Sequence, residues 1–250
     1  MGPIYFDPYA ADLTTRARTD LKGEVLELAC GTGRLTQPLL AALPQDARLM
    51  ATDLNLPMIE HARRGLPDDQ RLEMRPADVM ALPFMDESFD VALCQFGVMF
   101  FPDKRAAAAE VRRVLRRGAP YHFNVWGSHA ENESPAIVHR LMREVYPEDP
   151  PDFYEVPWSY HDPATIRADL EVAGFRDVTV TPVELITVAE SARHVAIALV
   201  RGTPGAGYIA ERGGPSHDEV IDRLTERLAE WGGASPCQVR NKAIVVRATA

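Results

Sequence analysis

Glu24-Val25-Leu26-Glu27-Leu28-Ala29-Cys30-Gly31-Thr32-Gly33 carries a short apolar strand into a tight turn with two glycines, and a helical stretch follows. Glycines let a backbone turn sharply and approach a ligand closely, and the N–H groups at a helix start are unpaired donors aimed outward. The stretch therefore reads as a binding loop for one end of a nucleotide-like ligand. The dinucleotide fingerprint wants a third glycine after two more residues, but Gly33 is followed by Arg34, Leu35 and Thr36, so pyrophosphate is not the favoured ligand.

Outward from this loop, strand-like apolar runs alternate with helical stretches between Leu21 and Trp126, the pattern of a parallel sheet wrapped by helices. The strands read as Glu24 to Leu28, Arg48 to Asp53, Leu72 to Arg75, Asp90 to Gln95 and Tyr121 to Trp126. Helices are expected over Leu35 to Leu43, Pro57 to Arg64 and Asp103 to Arg117, the last closed by Gly118. Pro38 is tolerated because it falls near a first turn, where its missing N–H has no partner to lose. Ser128 to His161 breaks the rhythm with Pro147, Pro150, Pro151 and Pro157 after a helix at Pro135 to Tyr146, and reads as a cap. Asp162 and Pro163 then start a helix that Gly174 stops, and Asp177 to Val188 is a strand. Helices at Ser191 to Val200 and His217 to Trp231 flank a glycine-rich joint, Gly202 to Gly214, before a closing strand at Lys242 to Ala248. The expected organisation is a single domain over 1–250: an N-terminal helix (1–20), a binding core (21–127), a cap (128–161), resumed core (162–189), a helical insertion (190–232) and a final strand (239–250).

A hydrophobic content of 46% in 250 residues is enough to bury a sizeable core. Acidic residues outnumber basic ones 36 to 27, a formal charge of -9 that argues against a general nucleic-acid binder or attraction to anionic membranes. Cys30, Cys94 and Cys237 are odd in number and lack paired metal spacing, so neither a disulfide framework nor a metal site is expected. No apolar run approaches the ~18 residues of a membrane span, and Asp7, Asp12, Arg16, Arg18 and Asp20 interrupt any signal-peptide core. The expected location is the cytoplasm.

Asp53 ends the second strand about twenty residues past the glycines, where a carboxylate can hold a ribose diol at the carboxyl edge of the sheet. The competing role is an N-cap for the next helix. Further on stand Pro76-Ala77-Asp78-Val79-Met80-Ala81-Leu82-Pro83-Phe84, Glu87-Ser88-Phe89-Asp90 and Cys94-Gln95-Phe96-Gly97-Val98-Met99-Phe100, with Ala109-Glu110-Val111-Arg112-Arg113-Val114-Leu115-Arg116-Arg117-Gly118 behind them. Each segment is loose alone, but four in order are specific. Together, over roughly residues 21 to 127, they resemble the class I S-adenosylmethionine-dependent methyltransferases, in the branch similar to the ubiquinone and menaquinone methyltransferases.

The resemblance implies a Rossmann-like, doubly wound α/β fold: a seven-stranded, mostly parallel sheet with helices on both faces and an inserted helical cap. It implies that Glu27, Ala29, Gly31 and Gly33 wrap the methionine part of S-adenosylmethionine, that Asp53 takes the ribose hydroxyls, and that Leu54 and Met58 lie against adenine. Asp78 accepts from the adenine amino group in similar proteins, with Val79 supplying a neighbouring N–H, while Gln95 and Phe96 face the sulfonium end. The family usually has glycine where Ala29 stands and often aspartate where Glu27 stands. Tyr9, in the amphipathic segment Tyr5 to Arg18, is either a packing aromatic or a residue that closes over the cofactor. The chemistry of the residues agrees, since this cofactor carries cations, a diol and adenine but no phosphate, and the only lysines are Lys22, Lys104 and Lys242.

Methyl transfer is an in-line displacement with a good leaving group, so positioning supplies much of the rate and a base is needed only where the acceptor must lose a proton. His129 and His161, next to strand ends, are the candidates for that base. Phe96, Met99, Phe100 and Trp126, with Phe153, Tyr154, Trp158 and Tyr160 of the cap, form either the wall of a pocket for an apolar or aromatic small molecule or, for the cap residues, a small core of their own. Cys30 and Cys94 read as buried small residues. A nicotinamide-dependent reductase would need the third glycine and a Tyr-x-x-x-Lys pair, and has neither. The alternative left beside a methyltransferase is an S-adenosylmethionine-binding sensor or partner module without turnover.

Overall fold

In chain order the elements are α1 (Asp7–Ala17), β1 (Glu24–Leu28), α2 (Thr36–Ala42), β2 (Arg48–Asp53), α3 (Leu56–Gly65), β3 (Leu72–Pro76), β4 (Val91–Gln95), α4 (Lys104–Val114), β5 (Pro120–Trp126), α5 (Glu133–Val145), α6 (Pro163–Val172), β6 (Arg176–Ala189), α7 (Ala192–Arg201), α8 (Gly205–Arg212), α9 (His217–Gly232) and β7 (Cys237–Thr249). This is a computed structural model, and it describes the backbone of residues 1–250 and every side chain but that of Asp152.

The seven strands form one sheet in the order β3-β2-β1-β4-β5-β7-β6. The first five are parallel, and β7 runs antiparallel to β5 with Pro120 opposite Thr249 and Trp126 opposite Ala243. Strands covered on both faces carry near-continuous apolar runs, and Val25 to Leu28, Val91 to Cys94 and all of β5 are buried. Leu13 of α1 and Leu39 of α2 are fully buried against Leu49 and Leu93 of the sheet, each such side chain contributing about 2 kcal/mol. Because β2 lies on one side of β1 and β4 on the other, the winding direction reverses at β1, and ligands of open α/β sheets lie outside such a point.

The chain falls into two compact units. A sheet unit comprises Tyr9–Trp126, Tyr160–Val183 and Ala243–Ala250, and a helical unit comprises Met1–Pro8, Gly127–Ser159 and Glu184–Lys242. Within the helical unit α9 packs on α7 and α5. Asn132, fully buried there, donates to the carbonyls of Ser128 and Lys242 and accepts from the Lys242 N–H, which ties the start of α5 to β7. Ser216 and Glu219 form the capping box that starts α9.

Local chemistry explains where the elements start and stop. Asp162 caps α6 as expected, accepting from the N–H groups of Ala164 and Thr165. The helix expected to reach Arg117 instead ends at Val114, because the Val114 carbonyl accepts from Ser88 and Phe89 and Leu115 bridges Phe89. Gly118, at φ +80, turns the chain into β5 rather than closing the helix. The glycine-rich joint contains a helix of its own, α8, and β7 begins five residues before the expected Lys242.

Candidate functional site

The carboxyl ends of β1, β2 and β4 meet at the reversal point. After β1 the turn runs through three left-handed residues, Ala29 (φ 51), Gly31 (φ 54) and Gly33 (φ 82), and the Gly33 N–H closes it on the Cys30 carbonyl. The two glycines have different reasons. A Cβ on Gly33 would press on Leu66 and Ala62 of the α3 region at 3.1 and 3.3 Å, whereas one on Gly31 would meet no described atom within 4 Å. Gly33 thus serves packing, and Gly31 borders open space. Ala29 pays for a left-handed backbone with about 1 kcal/mol. Its methyl is accommodated by a glycine from another strand end: a Cβ on Gly97 would lie 2.6 Å from that methyl and 2.7 Å from Cys94 Sγ.

Behind this turn stands Glu27, 1% exposed. Both its carboxyl oxygens are buried without a hydrogen-bond partner at normal geometry, as is the Thr36 hydroxyl. Burial pushes the Glu27 carboxyl up to about 8; the neighbouring Thr36 hydroxyl lowers it somewhat, and Asp53 raises it further. A buried acid without a partner is costly, and it fits a ligand that brings a cation.

Asp53 accepts from the Gly31 N–H on one oxygen (2.8 Å) and the Asn55 N–H on the other (2.9 Å). It is not the helix cap, since Asn55 holds that position in α3. Asp53 instead ties the glycine turn to the end of β2, with further acceptor capacity on both oxygens. Beside it Leu54 and Met58 are 67% and 44% exposed, an unusual degree for two large apolar side chains flanking an acid. Asp78 is exposed, with Oδ1 accepting the Met80 N–H, and Val79 is half-buried.

At the end of β4, Gln95 is half-buried and Phe96 takes a left-handed backbone (φ 50), its N–H donated to the carbonyl and Oδ1 of Asn124. The Phe96 ring stacks on Trp126 with centroids 3.8 Å apart, and Tyr9 stands edge-on to both at 5.5 and 5.3 Å. Tyr9 also donates to the Val183 carbonyl. Met99 is buried nearby in sequence and Phe100 is 49% exposed.

The remaining candidates are distributed otherwise. Tyr160 is a buried link within the sheet unit, its hydroxyl donating to Asp169, which also holds Arg105, and Lys104 lies over its ring. With Val98, Phe101 and Tyr121 it lines a small cavity in that unit. His161 is half-buried in the same unit. In the helical unit the His129 ring lies tilted against Trp158 and His139, with centroids 4.9 and 5.0 Å apart, and its Nε2 is buried without a partner. Burial first, and then His139, lowers its pKa. Phe153 and Tyr154 of the former cap pack on each other there. Cys30, Cys94 and Cys237 are free and buried. Among the described residues no group of His, Cys, Asp and Glu could hold a metal ion.

Sequence reading did not single out Asn124 or the role of Gly97. A polar residue inside the apolar run of β5 is a usable signal for the first; nothing in the sequence pairs Gly97 with Ala29.

Residues 25–118 match a family described as methyltransferase domain. A demethylmenaquinone methyltransferase of Clavibacter sepedonicus is 40% identical over 106 residues, 42% of this chain and 42% of that protein. The chain thus spans about two fifths of the length of the curated relatives it matches. A solved putative methyltransferase from Bacillus halodurans superposes with a TM-score of 0.61 at 18% identity, covering 96% of this chain and 97% of that one. Phosphoethanolamine N-methyltransferase 2 of Haemonchus contortus, solved with S-adenosyl-L-methionine, gives 0.60 at 13% identity, covering 97% of this chain and 52% of that one. Residues 25–118 thus match a methyltransferase domain, and the chain shares the fold of solved methyltransferases.

Proposed function

We propose that this protein is an S-adenosylmethionine-dependent methyltransferase that acts on a small apolar or aromatic acceptor, at carbon or oxygen. The observation that carries the reading is the unpartnered, buried Glu27 carboxyl beneath an open glycine turn, with Asp53 on the adjoining strand end. That donor set fits a ligand with a cationic amino-acid end and a ribose diol. Asp53 would hold the ribose hydroxyls with the acceptor capacity its two backbone bonds leave free. Leu54 and Met58 would cover the adenine faces, Asp78 and Val79 its polar edge, and Glu27, Ala29, Gly31 and Gly33 the methionine end. When bound, the cofactor supplies an electrophilic methyl group on sulfur.

Gln95 and Phe96 would border that methyl, while Phe96, Trp126 and Tyr9 exclude water around it and Met99 and Phe100 extend the apolar surface toward the acceptor. The demethylmenaquinone methyltransferase likeness favours a ring of quinone type. For an acceptor that must lose a proton, His161 of the sheet unit is the imidazole available as base. A cytoplasmic location would suit three free cysteines. No helix among the described residues is long and apolar enough to cross a membrane. Its charge of -9 speaks against nucleic acid as the acceptor.

Calorimetric titration with S-adenosylmethionine and its demethylated product tests the cofactor, and transfer of labelled methyl to a panel of quinols and phenols tests the activity. Asp53→Ala should weaken binding at least about tenfold, as expected for loss of hydrogen bonds to a charged group. An absence of heat with the wild type, or equal binding by the variant, refutes the assignment.

A further inference from the structure

Glu27 poses a problem that cofactor recognition alone does not answer: what charge the carboxyl carries before a ligand arrives. The groups acting on it come from every neighbouring element, namely Thr36 of α2, Asp53 of β2, Cys94 of β4 and Cys30 of the turn, and no cation stands among them. Both thiols are themselves held neutral by burial. Neither carboxyl oxygen has a partner at normal hydrogen-bond geometry, the side chain is 1% exposed, and the Thr36 hydroxyl is the one neighbour that favours the charged form. Asp53, whose own oxygens are occupied by the Gly31 and Asn55 N–H groups, adds negative potential and no donor. An ionised carboxylate in that position has a single hydroxyl and no charge to compensate it until a positive group enters beside it.

We infer that Glu27 is neutral in the ligand-free protein and ionises when a ligand bearing an ammonium group binds, so that cofactor binding expels one proton to solvent. The O–H bond of the carboxyl breaks, its proton passes to the buffer, and the new carboxylate is paired with the charge the ligand brings. This inference rests on the proposed cofactor. The raised value of about 8 for Glu27 supports it, as it lies above working pH. Selectivity follows: a ligand with the adenosine part alone has nothing to offer Glu27 and leaves the proton in place.

The experiment is isothermal titration of the full chain at pH 6.5 with S-adenosylhomocysteine, which carries the ammonium group and no methyl to transfer. The ligand's own ammonium, beside a free carboxylate, is more basic than a peptide amino terminus, so it is charged at that pH and takes up no proton. Repeating the titration in phosphate and Tris should give apparent heats that differ by the release of about one proton per ligand, and the Kd should fall about tenfold from pH 6 to pH 7. With 5′-methylthioadenosine, which lacks the ammonium, the heats should be the same in both buffers and the Kd constant with pH. Glu27→Gln should bind S-adenosylhomocysteine more weakly, with no proton released and no pH dependence. Binding by the wild type without proton release, or release that persists in Glu27→Gln, overturns the inference while leaving the proposed function standing. An absence of binding in any buffer overturns both.

Discussion

Glu27→Gln should make the ligand-free protein more stable, and by an amount that depends on pH. The side chain keeps its size and loses only its ability to ionise. Glu27 is an acid whose value is raised on folding, from 4.5 to about 8, so between those limits the folded state holds a proton that the unfolded state has lost. Stability on its account is full below 4.5 and drains as pH rises, until the folded group also ionises near 8. At 1.36 kcal/mol per unit, wild type forfeits about 3 kcal/mol by pH 7 and about 5 kcal/mol above pH 8, and the glutamine variant forfeits none of it. Urea unfolding followed by far-ultraviolet circular dichroism at pH 5, 7 and 8 measures the difference, and because every other titrating group is common to both proteins, that difference isolates Glu27. The two should be nearly equal at pH 5 and diverge in favour of the variant. A difference that stays constant with pH, or one that favours wild type at pH 8, would refute the assignment of an uncompensated buried acid.

Gly97→Ala should destabilise by about 2 kcal/mol or more, since its methyl would meet the Ala29 methyl at 2.6 Å and Cys94 Sγ at 2.7 Å. Ala29→Gly should by itself be neutral or stabilising by about 1 kcal/mol through relief of the left-handed backbone, and should recover part of the Gly97→Ala loss. A thermal-denaturation double-mutant cycle that comes out additive would disprove this contact. Tyr160→Phe should cost about 1–2 kcal/mol in urea unfolding, because buried Asp169 loses one of its donors, while the Kd for S-adenosylhomocysteine stays unchanged; a weakened Kd would return Tyr160 to the binding surface.

The parallel core was legible chiefly through β1, β4 and β5, which are buried on both faces, with β2 and β3 set by their spacing between helices: β1 and β2 match their expected limits, and β3, β4 and β5 do so within one residue. Recognition failed where the pattern is mixed. The first half of β7 alternates Gln238 and Arg240 with buried Cys237 and Val239, and that mixed pattern hid the start of the strand. The glycines of 202–214 concealed α8, which gains its register from contacts with α7 and α9 rather than from propensity. In the candidate site, Glu27 and Asp53 were readable from their spacing to the glycines. What made Glu27 unusual was not, since the absence of any partner emerges only when β2, β4 and α2 are assembled around it. The compensation of Ala29 by Gly97 is likewise a contact between distant segments, invisible to any local window.

The position of β7 also has a consequence in time. It follows β6 in the chain but lies inside the sheet, between β5 and β6. As the chain emerges from the ribosome, β6 precedes all of α7, α8 and α9 and finds no room beside β5 that will remain its own, because its neighbour has yet to be made. A strand of fourteen residues with Ile186 and Val188 exposed must wait as an open edge, the kind of surface on which nascent chains associate with one another. Closure of the sheet is then a long-range event, since β7 reaches β5 across all of the chain from α5 to α9.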